Sequence, residues 1–191
     1  MFRRLAKIAI AIGILAACAP PGGLLVSDSA EPVGGNLFIE TTLDGDQFLV
    51  LDGEISARTA YTFLSVVEQA DVEGLVIAQS PGGDLLAAHQ IGREISKREI
   101  NTIVLVNCIS ACVDVFIAGD IREMMDIAEL GLHSATDRDF AYEIDRKYWG
   151  DLGFSKVNDL AYQVPNDKLW IISAKRAREL RLATNVVPTD G

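Results

Sequence analysis

Short apolar runs alternate with amphipathic stretches from about residue 47 onward, a pattern that predicts strands followed by helices. Several of the apolar runs end at glycine or serine, which are typical of turns. The predicted strands are Gln47–Leu51, Gly74–Ala78, Thr102–Val106 and Glu129–His133. The predicted helices are Ala57–Gln69, with Ser56 as its cap, Asp84–Lys97, Ser110–Ala118, 139–150, 155–163 and Ser173–Leu180.

This alternation of apolar strands with helices predicts an α/β fold built from parallel βαβ units. Right-handed crossovers place the turns that follow parallel strands along one edge of the sheet, where catalytic groups collect in open α/β sheets. Ser80–Gly83, 108–110 and His133 each follow or end a predicted strand. We therefore expect them to converge on one edge, although they are distant in sequence.

The N-terminus has the layout of a secretory signal peptide. Residues 1–7 are basic, and Ile8–Ala17 is an apolar run too short to span a bilayer comfortably. Leu15–Cys18 resembles a bacterial lipobox, which predicts a lipidated Cys18 at the mature N-terminus; the alternative is an ordinary signal peptide cut near Ala17. The absence of aspartate after the cysteine favours the periplasmic face of the outer membrane.

The chain therefore divides into a signal peptide at 1–17, a flexible tether at 18–36 and one domain at 37–191. The tether is predicted from its proline and glycine content. A chain of 191 residues is one domain by length. Its net charge is −10, and loss of three basic residues with the signal peptide lowers it to −13. Because an acidic surface repels the phosphate backbone, we expect no nucleic-acid partner.

Cys108 and Cys112 remain as a pair, four residues apart, in a compartment that permits disulfides. That spacing on a helix brings the two Cα atoms within disulfide reach. The pair is either a disulfide flanking Ser110 or two small buried thiols at a strand–helix junction. Two cysteines without further ligands do not predict a zinc site, and we expect no metal and no cofactor.

Ser110 and His133 are the candidates for nucleophilic chemistry, because a serine needs a base to take its proton. Gly82 and Gly83 allow a backbone N–H to approach a substrate carbonyl. The alternatives are a serine that only caps a helix, glycines that only form a turn, and a histidine that belongs to the core. His89, in the middle of a predicted helix, is interpreted as structural or solvated.

Taken together, these motifs resemble the Clp protease/crotonase superfamily, and in particular envelope Clp-protease-like serine peptidases. Gln79–Gly83 resembles the oxyanion turn of that family. Ser110–Ala111, followed by Ala118–Gly119 and Arg122, resembles its nucleophile helix and the arginine after it, and Leu130–His133 resembles its histidine strand. The resemblance covers about residues 47–187. It implies a ClpP/crotonase-like fold of repeated ββα/βαβ units with parallel strands.

The resemblance also implies roles. Ser110 matches the nucleophile and His133 the base, and Ala111 joins Gly83 in supplying oxyanion N–H groups. The aspartate of the family falls on Leu169 in an ungapped match, so the third residue is either Asp167 after a local shift or absent, with Asp159 further away. The span after His133 is shorter than in Clp, which argues against a Clp-like double ring.

We therefore expect an envelope serine hydrolase that cleaves peptide or protein substrates, anchored by lipid and without a Clp ATPase partner; a homo-oligomer remains open. The first alternative is a catalytically inactive binding or scaffolding module, favoured by the unmatched aspartate. Acyl-CoA chemistry is disfavoured because CoA thioesters are cytoplasmic. A Ser–Lys dyad would need a lysine near Ser110, and Lys147, Lys156 and Lys168 are the candidates.

Overall fold

A mostly parallel sheet of nine strands organises residues 26–189, the part of the chain that the structure, a computed structural model, describes. Six helices connect or flank the strands. The elements in chain order are β1 (Glu31–Gly34), β2 (Leu37–Thr41), β3 (Gln47–Asp52), α1 (Ala57–Gln69), β4 (Val72–Ser80), α2 (Leu85–Arg98), β5 (Asn101–Ile109), α3 (Ala111–Ile117), β6 (Arg122–Met125), β7 (Glu129–Leu132), α4 (Arg138–Asp151), α5 (Ser155–Ala161), β8 (Trp170–Ser173), α6 (Ala174–Glu179) and β9 (Asn185–Val187).

The strands run in the order β1-β2-β3-β4-β5-β6-β9, and β7 and β8 branch from β5. Strands β3, β4 and β5 are parallel, and on the edge away from β4, β5 pairs in parallel with two further strands. Its first half, at Thr102–Val104, pairs with β6, and its second half, at Asn107–Ile109, pairs with β7. The predicted α/β class with parallel strands is confirmed, and the branch places β7 beside the carboxyl end of β5.

Side-chain caps fix where the first two helices begin. Ser56 accepts a hydrogen bond from the backbone N–H of Thr59, and the Thr59 hydroxyl accepts one from the backbone N–H of Ser56, which completes a capping box. Asp84 accepts from the N–H of Ala87 at the start of α2. Such a cap stabilises a helix by about 1 kcal/mol. The second cap begins α2 directly after the Ser80–Gly83 turn, and so fixes that turn.

The N-terminal hairpin corrects the expectation that residues 18–36 are a tether throughout. Strand β1 lies inside that range and pairs antiparallel with β2. Gly35 and Asn36 have φ angles of 60° and 62°, and a two-residue turn with two positive φ angles matches the twist of a hairpin. The glycines that suggest a linker by composition therefore close a turn, and order extends upstream of Leu37.

One hydrophobic core lies between the sheet and the helices. Phe63 of α1 and Phe116 of α3 are among its largest fully buried side chains, and Ile77 of β4 is also fully buried. Each buried side chain of this size contributes about 1.5–3 kcal/mol relative to its exposed state. The strongly apolar α3 is enclosed by this core, which holds the residue preceding it, Ser110, in a defined position.

The signal peptide at 1–17, Cys18 and the first part of the tether lie outside the described residues. Within residues 26–189, no helix combines the length and apolar character needed to cross a membrane. The short strands β6, β8 and β9 have four or fewer residues each and were not among the predicted strands.

Candidate active site

Ser110 lies in a strained turn between β5 and α3. Its φ and ψ angles are 55° and −131°, a left-handed conformation that costs a non-glycine residue about 1–3 kcal/mol. It occupies the capping position of α3, yet its side chain makes no capping hydrogen bond. The serine is half-buried at the end of a rigid strand, and its hydroxyl is left available.

The glycine turn packs directly against this serine. Gly82 has a φ of 89°, and a Cβ atom added there would lie 2.5 Å from the carbonyl oxygen of Ile109 and 2.9 Å from Cβ of Ser110. Register explains the proximity, because Ser80 of β4 pairs with Cys108 of β5. Two neighbouring parallel strands therefore end side by side, and only glycine fits between their turns.

Two backbone N–H groups at this junction, those of Gly83 and Ala111, have no hydrogen-bond acceptor within residues 26–189. Gly83 has a φ of 138°, and its neighbours form the backbone bonds of the turn: the Gly82 carbonyl accepts from Ile55 N–H, and Asp84 N–H donates to the Ile55 carbonyl. Ala111 is the first residue of α3, so its N–H has no acceptor within the helix. These are the two donors that the resemblance to Clp proteases implies.

His133 directly follows β7, the strand beside Ser110. The backbone N–H of Ser110 donates to the carbonyl of Gly131 at 2.7 Å, which ties the two segments together. His133 Nδ1 lies 2.8 Å from the carbonyl oxygen of Ser134. In the tautomer whose Nδ1 carries the ring proton, Nδ1 donates to this carbonyl, and Nε2 retains a lone pair that can take a proton.

Asn166 is the side chain that the structure brings to His133. Its Nδ2 donates to the Ser134 carbonyl at 2.8 Å and lies 3.0 Å from His133 Nδ1. In the tautomer with a protonated Nδ1, both nitrogens donate to the Ser134 carbonyl, and in the other tautomer Asn166 Nδ2 also donates to His133 Nδ1. The carbonyl of Ser134 thus orients the imidazole, and Asn166 positions that carbonyl.

The carboxylates considered for the third position lie elsewhere. Asp167 is exposed in the turn before β8 and forms no hydrogen bond or ion pair within residues 26–189. Asp159 on α5 accepts a hydrogen bond from the Tyr142 hydroxyl. Leu169, the ungapped match to the family aspartate, is half-exposed beside Gly131. The sequence did not predict Asn166 as a site residue, because no local pattern distinguishes it from Asp167 in the same turn.

An open cleft of about 270 Å³ contains both candidate catalytic residues. Ser110, Ala111, Gly83 and His133 lie along it, and Leu86 and Phe140 line it as large exposed apolar side chains. No lysine lines the cleft in the part of the chain that the structure describes. The cleft has room for a substrate side chain next to the serine.

A disulfide joins Cys108, at the end of β5, to Cys112, in the first turn of α3. The two Cα atoms are 5.3 Å apart, and both cysteines are fully buried. The bond spans the turn that contains Ser110. It therefore restrains the strand–helix junction on which the position of the serine depends.

Alkylation tests the state of these cysteines. When unreduced protein purified from the cell envelope is denatured and treated with a thiol reagent, mass spectrometry should find neither Cys108 nor Cys112 alkylated, because both sulfurs are in the disulfide. Reduction before alkylation is the control and should label both. Two labelled thiols in the unreduced sample would mean that the cysteines pack as free thiols.

Beneath the cleft lies a polar cluster of His89, Asp114 and Asp145. His89 is fully buried rather than solvated, and its ring stacks on Tyr148 at 4.0 Å between centroids. Burial, together with the nearby charge of Asp145, raises the pKa of Asp114 well above its usual value, and the hydrogen bond from Trp149 opposes this. A sequence signal existed for Asp114, which is the one charge within an otherwise apolar helix.

Comparison with known proteins supports the fold alone. No protein-family model and no curated protein matches the sequence. The structure is similar to that of the 1510-N membrane-bound stomatin-specific protease, solved as a serine-to-alanine mutant, with a TM-score of 0.55. The match has 16% sequence identity and covers 72% of this chain and 77% of the other. The mixed α/β architecture is thus consistent with a ClpP/crotonase-like fold and similar to that of a protease.

Proposed function

We propose that this chain is a serine hydrolase that cleaves peptide bonds, with Ser110 as nucleophile and His133 as general base. The observation that carries the proposal is the conformation of Ser110. The left-handed conformation of this serine lowers the stability of the fold, and its hydroxyl forms no capping hydrogen bond that would offset the strain. Such strain is typical of functional sites, and here it turns the serine towards the cleft that contains His133.

The mechanism follows from the chemistry of these groups. Ser110 Oγ attacks the carbonyl carbon of the substrate while His133 Nε2 takes its proton. The N–H groups of Gly83 and Ala111 donate to the developing oxyanion. The imidazolium then gives its proton to the leaving amine. A water molecule, deprotonated by the same ring, attacks the acyl group, and the ring returns that proton to Ser110 Oγ as the acyl–oxygen bond breaks.

The Ser134 carbonyl does part of the work that an aspartate does in a triad. It holds the tautomer in which Nδ1 is protonated and Nε2 is free. It has no full negative charge, so it stabilises the imidazolium less than a carboxylate does. We therefore propose a Ser–His pair oriented by a backbone carbonyl, with a lower rate than a full triad gives.

The walls of the cleft favour a peptide substrate. Leu86 and Phe140 have 49% and 61% of their surface exposed, and both line the cleft. Exposed apolar side chains at this position are suited to contact an apolar side chain of a bound peptide. The net negative charge of the chain is unfavourable for strongly acidic substrates.

Hydrolysis of unstructured peptides tests the proposal. The purified full chain should cleave casein-like peptides, and mass spectrometry of the products should show new α-amino and α-carboxyl termini. A folded wild-type protein that cleaves none of them would contradict the proposal. Peptide binding without cleavage would instead support the alternative, a binding module that retains the fold.

We also propose that the enzyme is anchored in the cell envelope through Cys18, by the lipobox at Leu15–Cys18. The cell envelope has no ATP supply, so the enzyme would act without a Clp ATPase. Its substrates would be peptides or locally unfolded proteins, since nothing pulls a folded chain into the cleft. Whether it forms a homo-oligomer is a separate question that size-exclusion chromatography with light scattering answers.

Metabolic labelling tests the anchor. Wild-type protein expressed in a bacterium with lipoprotein processing should incorporate labelled palmitate and partition into detergent, because the Cys18 thiol would be acylated. The variant Cys18→Ser should remain unlabelled, and Cys112→Ser serves as a cysteine control that keeps the label. A wild type that stays unlabelled would contradict the anchor and leave an ordinary signal peptide.

A further inference from the structure

Three helices contribute one ligand-type side chain each to the cluster beneath the cleft. His89 comes from α2, Asp114 from α3 and Asp145 from α4, and they are 0%, 4% and 6% exposed. One nitrogen or oxygen atom of each lies within 4.8 Å of the others. The three residues are 25 and 31 positions apart in the chain, so no short motif marks them.

The contacts of His89 are close but are not hydrogen bonds. Its Nε2 lies 3.1 Å from Asp145 Oδ1 and 3.8 Å from Asp114 Oδ2. Although the first distance is that of an ion pair, the ring N–H axis does not point at the oxygen. Both ring nitrogens and Asp145 Oδ1 are buried and have no hydrogen-bond partner among the described residues. Atoms that bind one metal ion lie close together without hydrogen bonding to each other, because each lone pair points at the ion.

Each carboxylate has one oxygen bound and one oxygen left for the cluster. Trp149 Nε1 donates to Asp114 Oδ1 at 2.6 Å, and the Tyr162 hydroxyl donates to Asp145 Oδ2. Asp114 Oδ2 and Asp145 Oδ1 are the remaining oxygens, and these are the atoms nearest His89 Nε2. Outer hydrogen bonds that orient carboxylate ligands in this way are typical of metal sites.

No lysine or arginine accompanies the carboxyl groups of this cluster. Within residues 26–189, the His89 imidazole is the only ion-pair partner of Asp114 and Asp145. Buried charges are costly unless they are paired or bind a metal. A divalent cation bound by two carboxylates and a neutral imidazole leaves no net charge.

We propose that His89, Asp114 and Asp145 bind one divalent transition-metal ion at the floor of the cleft, with zinc as the best match. One imidazole and two carboxylates suit zinc or manganese better than calcium or magnesium, which prefer oxygen ligands alone. Zinc ligands lie roughly 2.0–2.2 Å from the ion. Neighbouring ligand atoms are then separated by distances close to those found here.

The ion would join α4 to α2 and α3, and so would fix one wall of the cleft. Asp114 is four residues after Ser110, about one helical turn, and both residues line the cleft with Asp145. The site is separate from the Ser–His pair, and its role is to position the cleft wall. This proposal does not depend on the proposed hydrolase activity.

Metal binding is tested directly. The full chain, purified without a polyhistidine tag and dialysed against chelator, should bind one Zn²⁺ per molecule by native mass spectrometry and calorimetry. Zinc at saturating concentration should raise Tm by roughly 5 °C or more, because the ion binds the folded state only. Asp145→Asn, which keeps size and burial, and His89→Ala should each weaken zinc binding by about 100-fold or more.

His133→Ala is the matched control, since His133 is the other histidine of the chain. This variant should bind zinc as tightly as the wild type. The proposal is overturned if the wild type binds no stoichiometric zinc, if folded Asp145→Asn binds it unchanged, or if His133→Ala abolishes binding. Circular dichroism establishes that each variant is folded, and Asp114→Asn replaces any variant that is not.

Discussion

Ser110→Ala and His133→Ala are each expected to lower peptide hydrolysis by roughly 10³-fold or more. The serine supplies the attacking oxygen of the proposed reaction, and His133, which lines the same cleft, supplies the base. Because the two residues act as a unit, the double variant should be no slower than either single variant. The measurement is the initial rate of casein-peptide cleavage for each folded variant.

Two controls make this result specific. Ser96→Ala removes an exposed serine near the C-terminus of α2, at the end of the helix away from the glycine turn, and should leave the rate unchanged. Asp167→Asn should also have little effect, because that carboxylate forms no hydrogen bond or ion pair with His133 or with any other described residue. Wild-type hydrolysis by folded Ser110→Ala would rule out the serine mechanism, and a large loss in Asp167→Asn would mean that Asp167 orients the histidine during the reaction.

Gly82→Ala is expected to lower hydrolysis by about 100-fold or more, even if the protein folds. The added methyl group would meet the Ile109 carbonyl at 2.5 Å and Ser110 Cβ at 2.9 Å, so the nucleophile has to move. A displacement of about 1 Å at a reacting group costs on the order of 10²-fold in rate. The measurement is the cleavage rate together with Tm.

Gly153→Ala is the matched control for backbone strain. Gly153 has a φ of 88°, against 89° for Gly82, but an added Cβ there meets nothing within 4 Å. Both variants incur the cost of a left-handed alanine, about 1–2 kcal/mol. If Gly153→Ala keeps its activity while Gly82→Ala loses it, the contact with Ser110 is responsible. Equal activity in the two variants would show that the glycine turn does not position the serine.

The sequence predicted the parallel core of the fold because its strands are long, apolar and bounded by clear turns. Strand β4 is an example, since the glycine turn that follows it marks its end. Strands β6, β8 and β9 have four or fewer residues and carry too little periodicity, whereas β7, with four residues, was predicted from the short run that ends at His133. The first hairpin was missed because glycine and asparagine in a type I′ turn have the same composition as a linker.

For the site, the sequence predicted which residues come together but not how they are connected. Ser110 and His133 follow neighbouring strands, so topology alone brings them to one edge of the sheet. The orientation of His133 depends on a carbonyl and on Asn166, 33 residues later, which no local pattern reveals. The cluster around His89 is equally non-local, since it joins three helices.

Labelling with a fluorophosphonate probe tests the central claim, that Ser110 is an activated nucleophile, most directly. Folded wild-type protein and Ser96→Ala should form one adduct, and Ser110→Ala should form none. After reduction and tryptic digestion the adduct should map to residues 99–122, in which Ser110 is the only serine. A folded wild type that does not react, or a Ser110→Ala protein that reacts equally, would contradict the claim.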